Sequence, residues 1–89
     1  MLQRKILINN KLGLHARASA KFVALAGHFS CQVDLFKGDQ KVNGKSIMGV
    51  MTLAASKGTE LELVTIGDDE QQAMQELITL VNNRFGEEE

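Results

Sequence analysis

The chain is expected to fold as an α/β (α+β) two-layer open-faced sandwich, a four-stranded antiparallel sheet covered on one face by three helices. Three observations lead there. Residues 2–8 and 31–36 alternate apolar and polar side chains, the two-residue period of strands with one buried face. Gly38-Asp39 forms a two-residue turn of the Gly-X kind, which returns the chain as a hairpin. Ala73, Met74, Leu77, Ile78, Val81 and Phe85 line one stripe at helical spacing. Alternating strands with a separate helical stripe imply one antiparallel sheet with helices on one side.

Each element has its own signals. Ile6 and Ile8 mark the first strand, and the loop Asn9 to Gly13 follows, with Gly13 able to take a positive φ. Ala16 to Gly27 reads as a helix whose Ala18, Phe22 and Leu25 share a face continued by Phe29, with Gly27 as its stop. Cys31, Val33 and Leu35 define the second strand, and Gln40 to Val42 the third. After the Asn43-Gly44 turn, Ser46 is a natural N-cap for a short helix from Ile47 to about Leu53. Gly58 precedes a strand of β-formers, Glu60 to Ile66. Asp69 with Gln72 three residues later reads as a capping box that starts the last helix, and Gly86 closes it. The order is β-α-β-β-α-β-α. Only Glu87-Glu88-Glu89 reads as a frayed tail.

With 89 residues the chain is read as one domain over its whole length, residues 1–89. A chain of this size removes only about 60% of its unfolded surface from water, so any active site must lie at the surface and use few residues. No apolar run approaches the length of a membrane span, and the first ten residues lack the apolar stretch of a secretion signal. The single cysteine, Cys31, suits a reducing cytoplasm and falls on a core position of its strand. Trp and Tyr are absent and the basic residues are scattered, which argues against nucleic acid as a partner. His15, His28 and Cys31 match no compact ligand spacing, so no metal is expected. Charge is uneven. Residues 1–57 hold nine basic and two acidic groups, whereas residues 58–89 hold one and nine. Such a dipole can steer an acidic partner to the N-terminal half, or can be no more than two solvated faces.

His15 is the first candidate for chemistry. It stands in Gly13-Leu14-His15-Ala16-Arg17, directly before a helix. A helix start offers unpaired N–H groups and about half a positive charge. Arg17 adds a permanent cation within one turn. In such surroundings a neutral imidazole is nucleophilic, and a phosphoryl group gained on it is held by charge-assisted hydrogen bonds. A capping or merely solvated histidine fits the spacing equally. The second candidate is Lys45-Ser46-Ile47-Met48-Gly49-Val50-Met51. Ile47, Met48 and Met51 either pack on the sheet or face solvent, where flexible methionines suit several partner surfaces. A phosphate on Ser46 is compatible with its N-capping position yet adds negative charge to that surface.

Gly13-Leu14-His15-Ala16-Arg17 resembles the phosphohistidine signature of the HPr family, the histidine phosphocarriers of the bacterial phosphoenolpyruvate-dependent phosphotransferase system. Lys45 to Met51 resembles that family's regulatory serine segment, and the resemblance covers essentially residues 2–85. It implies a sheet order of 1-4-2-3. It implies that His15 takes a phosphoryl group on Nδ1 from enzyme I and passes it to the EIIA domain of a sugar permease or a regulatory protein. Arg17 neutralises charge during transfer, and Ala16 and Arg17 donate backbone N–H groups. Ala20, Ile47, Met48 and Met51 form the docking patch, with Lys21 and Lys45 on its rim. Ser46 is the target of an HPr kinase/phosphorylase where one exists. The expected protein is a cytoplasmic monomer in sugar transport, a carrier and not a free-standing enzyme. It needs no cofactor beyond the phosphoryl group it carries.

One departure is visible. The family usually has proline after the arginine, and here Ala18 stands there in a chain without any proline. Alanine keeps the helix with a looser start. The nitrogen-related branch of the family is the nearest alternative, and the Ser46 segment favours the carbohydrate branch. A docking module that needs no His15 and a small acylphosphatase-like hydrolase are the alternatives of other classes.

Overall fold

Alternation puts every second strand residue on the helix side of the sheet, and the burial follows that rule except at the paired Asp34 and Val64, which are buried on the opposite face. The computed structural model describes residues 1–89. Its elements are β1 (Leu2–Leu7), α1 (Ala16–Ala26), β2 (Gln32–Lys37), β3 (Gln40–Asn43), α2 (Ile47–Thr52), β4 (Glu60–Ile66) and α3 (Glu70–Asn82), with a 3-10 turn at Arg84–Gly86. The four strands form one sheet in the order β1-β4-β2-β3, every pair antiparallel. This is the predicted two-layer open-faced sandwich, and the sheet order is the one the family resemblance implies.

Register explains the two faces. Ile6 pairs with Leu61, Leu35 with both Leu63 and Val42, and Val33 with Thr65. Ile6, Val33, Leu35, Leu61 and Leu63 are buried on the helix side. The other face carries Gln3, Lys5, Gln32, Glu60 and Glu62, the polar half of the alternation. Phe22 of α1, Val50 of α2, and Leu77 and Val81 of α3 complete one core cluster of 20 buried residues. Phe22 and Phe85 are its largest fully buried members. Each contributes on the order of 1.5–3 kcal/mol by leaving water.

Most helix and strand boundaries agree with the sequence reading to within a residue. The hairpin turn is Gly38-Asp39, with Lys37 opposite Gln40 and a positive φ of 58° at Gly38. Ser46 caps α2 as expected, its hydroxyl accepting the Gly49 N–H at 3.1 Å.

Gly27 ends α1 as expected, with a right-handed φ of −67°. The helix closes in a tight turn in which the N–H of His28 reaches Leu25 O at 3.0 Å. Two expectations are corrected. Asp69 precedes α3 but caps nothing with its side chain, and no capping box with Gln72 forms. The Asp69 carboxylate is drawn instead to the Ser30–Cys31 backbone, while Glu70 Oε1 accepts the Gly67 N–H at 3.0 Å. Competition for the same carboxylate decides this, since two loop amides outside the helix satisfy it better than one inside.

The second correction concerns the C-terminal tail, which is docked. Arg84 and Phe85 both take a φ of 55°, a conformation unusual for bulky residues. That double left-handed step turns the chain back and seats Phe85, fully buried, in the core. Lys21 Nζ donates to Phe85 O at 2.7 Å, Lys11 N donates to Glu89 O at 2.7 Å, and Arg84 donates to Glu88 O at 2.6 Å.

Candidate functional site

The loop before α1 is built by short-range bonds. Gly13 adopts a φ of 64°, and a Cβ at this position would lie 2.4 Å from Ala55 O, so only glycine fits. Leu14 N donates to Ala55 O at 2.8 Å, and the Ser19 hydroxyl reaches back to Leu14 O at 3.0 Å. These contacts fix His15 as the N-cap residue of α1, with extended φ and ψ of −72° and 179°. Ala18 occupies the third helical position and is fully buried. The helix therefore starts at Ala16 without the family proline.

The His15 ring is 27% exposed and does not cap the helix. Its Nε2 contacts the Glu87 carboxylate. The other Glu87 oxygen accepts from Asn10 Nδ2 at 2.9 Å, and the same Asn10 nitrogen donates to Gly13 O at 2.8 Å. The Asn10 bond first, and the His15 bond next, hold the Glu87 carboxyl below the ordinary glutamate range. Glu87 is therefore an ionised acceptor, and Nε2 is the donor in this pair. Nδ1 forms no hydrogen bond within the chain. The first N–H groups of α1, at Ala16 and Arg17, lack an intrahelical partner by helix geometry. Arg17 is exposed and forms no ion pair. Lys11, Leu12, Ala16, Arg17, Glu88 and Glu89 complete the depression around the His15–Glu87 pair.

The surroundings of His15 are thus more mixed than the sequence suggested. Cationic Lys11 and Arg17 and the acidic tail line the same depression. Chemically, the arrangement offers one ring nitrogen without a partner, free amide donors and a guanidinium for an incoming anion. No three His, Cys, Asp or Glu side chains converge on a common point. Cys31 is buried and unpaired, and that burial pushes its thiol upward, away from reactivity.

The second candidate segment divides as its pattern allowed. Val50 is fully buried, whereas Met48 is 71% exposed and Ile47 and Met51 are each 40% exposed. Ala20 of α1 is also exposed, and α1 packs against α2. Lys21 and Lys45 are tied to backbone carbonyls, Lys21 to Phe85 O and Lys45 Nζ to Phe29 O at 2.6 Å. Their ammonium groups are therefore held in place. Sequence reasoning missed Asn10, Leu12 and Glu87. Leu12 is 66% exposed beside His15.

An open-faced sandwich that presents a histidine at the start of its first helix defines a class of small phosphocarriers. The family described as PTS HPr component phosphorylation site matches residues 2–83. Phosphocarrier protein HPr of Neisseria meningitidis serogroup A is 57% identical over 89 residues, covering 100% of both chains. The HPr of Cupriavidus necator matches at the same identity and coverage. Among solved structures, HPr-C-His from Thermoanaerobacter tengcongensis superposes with a TM-score of 0.96 at 47% identity, covering all of both chains. HPr of that organism, solved as a dimer, gives 0.79 at 47% identity over 98% of this chain and 100% of its own. The chain belongs to the HPr phosphocarrier family of the phosphotransferase system.

Proposed function

We propose that this chain is the general phosphoryl carrier of a sugar phosphotransferase system, with His15 as its carrying residue. His15 Nδ1 accepts a phosphoryl group that enzyme I has obtained from phosphoenolpyruvate, then yields it to an EIIA domain. The observation that carries this reading is the His15 ring itself, held by Glu87 at Nε2 and free at Nδ1 beside the start of α1. Ala16 and Arg17 supply backbone donors for the phosphoryl oxygens, and the Arg17 guanidinium offsets their charge. The group is cargo, so no resident cofactor is needed. The carrier turns over no small molecule on its own.

Exposed Met48, Ile47 and Met51, with Ala20, form the patch that receives each partner, and Lys21 and Lys45 border it. A patch that must release one partner before meeting the next suits a monomer working transiently in the cytoplasm. Ser46 lies at the edge of this patch as the N-cap of α2. Phosphorylation there, by an HPr kinase/phosphorylase where the cell has one, places about two negative charges on the docking face.

The test is to mix the chain with phosphoenolpyruvate and enzyme I and to look for an acid-labile, base-stable phosphate. One such group per chain, absent from His15→Ala, is the expected result. No adduct, or an adduct that survives His15→Ala, overturns the assignment. A docking module that works without phosphoryl transfer gives unchanged partner regulation by His15→Ala.

A further inference from the structure

We infer that Asn10 and Glu87 are positioning residues for phosphoryl transfer, acting through the His15 ring to keep its proton on Nε2 and its nucleophilic lone pair on Nδ1. The inference rests on the phosphocarrier reading and adds to it the means by which the ring is oriented.

Asn10 has no exposed surface. Its side-chain nitrogen donates to Gly13 O at 2.8 Å, within its own loop, and to Glu87 Oε1 at 2.9 Å, across 77 residues of chain. Both bonds leave from the one nitrogen, so the amide cannot flip without losing them. It therefore fixes one oxygen of Glu87 and aims the other at His15 Nε2. The tail that brings Glu87 there is held independently. Phe85 is buried in the core, its carbonyl accepts from Lys21, and Glu89 O accepts from Lys11 N. Glu87 itself is only 17% exposed.

A carboxylate has no proton to give, so the hydrogen in its bond to His15 belongs to Nε2. A neutral imidazole has one N–H, and with that on Nε2 the lone pair resides on Nδ1. During acceptance this pair forms the Nδ1–P bond. The P–N bond of the donor phosphohistidine breaks, and its electron pair returns to the donor nitrogen. The His15 proton remains on Nε2, so the ring gains positive charge as phosphorus arrives. Glu87 faces that charge directly. On onward transfer the Nδ1–P pair returns to Nδ1, the next carrier's nitrogen takes the phosphoryl group, and the ring is neutral again. A carboxylate on the far nitrogen thus stabilises the charged intermediate without leaving the ring or moving a proton.

The test uses the full chain and its Glu87→Ala and Glu87→Gln variants. Nitrogen-15 NMR of the His15 ring in the parent, recorded at a pH where the ring is neutral, is expected to show a single tautomer with a slowly exchanging Nε2–H. Glu87→Ala should lose that protected proton and give mixed tautomers, while isosteric Glu87→Gln keeps the packing and falls between the two. In phosphoryl uptake from enzyme I, kcat should fall ~10- to 100-fold for Glu87→Ala, the worth of one charged hydrogen bond. KM for enzyme I should stay within about twofold, since the docking patch is untouched. An unchanged ring spectrum and unchanged kcat in both variants overturn the inference. So does a loss of activity that follows only the fraction of unfolded protein. If the parent accepts no phosphoryl group, the phosphocarrier reading fails, and the ring spectra still decide whether Glu87 sets the tautomer.

Discussion

The Asp69 carboxylate closes the loop at Ser30: its Oδ2 accepts the Ser30 N–H at 2.8 Å and the Ser30 hydroxyl at 3.3 Å. Its Oδ1 accepts the N–H of Cys31 at 2.9 Å. One side chain ahead of α3 thereby ties the start of that helix to the residues just before β2. The Ser30 backbone bond is the main cause that holds the Asp69 carboxyl below its ordinary value of 3.8. In acid the unfolded chain then binds more protons than the folded one, and stability rises with pH there. The contribution is complete above pH 3.8 and is lost as pH falls through the lower folded value. Asp69→Asn should melt several degrees below the parent at neutral pH, with the gap narrowing on acidification. Thermal denaturation followed by circular dichroism at several pH values checks this, and a gap independent of pH refutes it.

Gly13 sets the angle at which His15 leaves its loop. Its φ of 64° and the 2.4 Å approach of a hypothetical Cβ to Ala55 O leave no room for a side chain. Gly13→Ala should cost about 1–3 kcal/mol from backbone strain, and more if Ala55 cannot move. The same change should slow phosphoryl uptake, because His15 is two residues away. Urea denaturation together with uptake kinetics measures both, and an Ala variant as stable as the parent would show that the loop yields freely.

Ser46 separates a structural role from a regulatory one. Its hydroxyl accepts the Gly49 N–H, so Ser46→Ala should cost about 1 kcal/mol of stability as a lost N-cap. Ser46→Asp retains a capping oxygen and adds a charge beside exposed Ile47 and Met48. It should keep the melting temperature near that of the parent and weaken docking to enzyme I roughly 10-fold, through repulsion of an acidic partner surface. Titration calorimetry tests the pair of variants. Equal affinity of Ser46→Asp and the parent would remove electrostatics as the basis of control.

Much of the fold and half of the site could be read from the chain because the signals are local. Alternation near Val33 and Leu35 and the stripe from Ala73 to Val81 each need only one element to be recognised. The same holds for Ser46, whose capping partner is three residues away. Glu87 was invisible because its partners Asn10 and His15 lie at the opposite end of the sequence. A terminal run of three glutamates looks solvated on composition alone. Phe85 was the clue to the contrary: it belonged to the helical stripe, and an aromatic buried that close to the tail limits where Glu87 can go. Asp69 misled for a related reason. Its spacing to Gln72 fits a cap, and nothing local reveals that Ser30 and Cys31 compete for it.

Arg17 offers the sharpest separation between docking and chemistry. It is exposed and forms no ion pair, so its removal disturbs no packing. Its guanidinium is permanently charged and planar, suited to two phosphoryl oxygens at once, whereas lysine offers a point charge. Arg17→Ala should therefore leave the melting temperature unchanged and lower kcat/KM for phosphoryl uptake ~10- to 100-fold, the worth of a charge-assisted contact. Arg17→Lys should restore part of that loss. The His15 ring spectrum should not change in either variant, because Glu87 and not Arg17 holds Nε2. Stopped-flow transfer from phosphorylated enzyme I provides the rates. If Arg17→Ala alters affinity for enzyme I while the transfer rate in the complex is unchanged, Arg17 belongs to the docking surface and the charge on the moving phosphoryl group is met by the backbone of α1 alone.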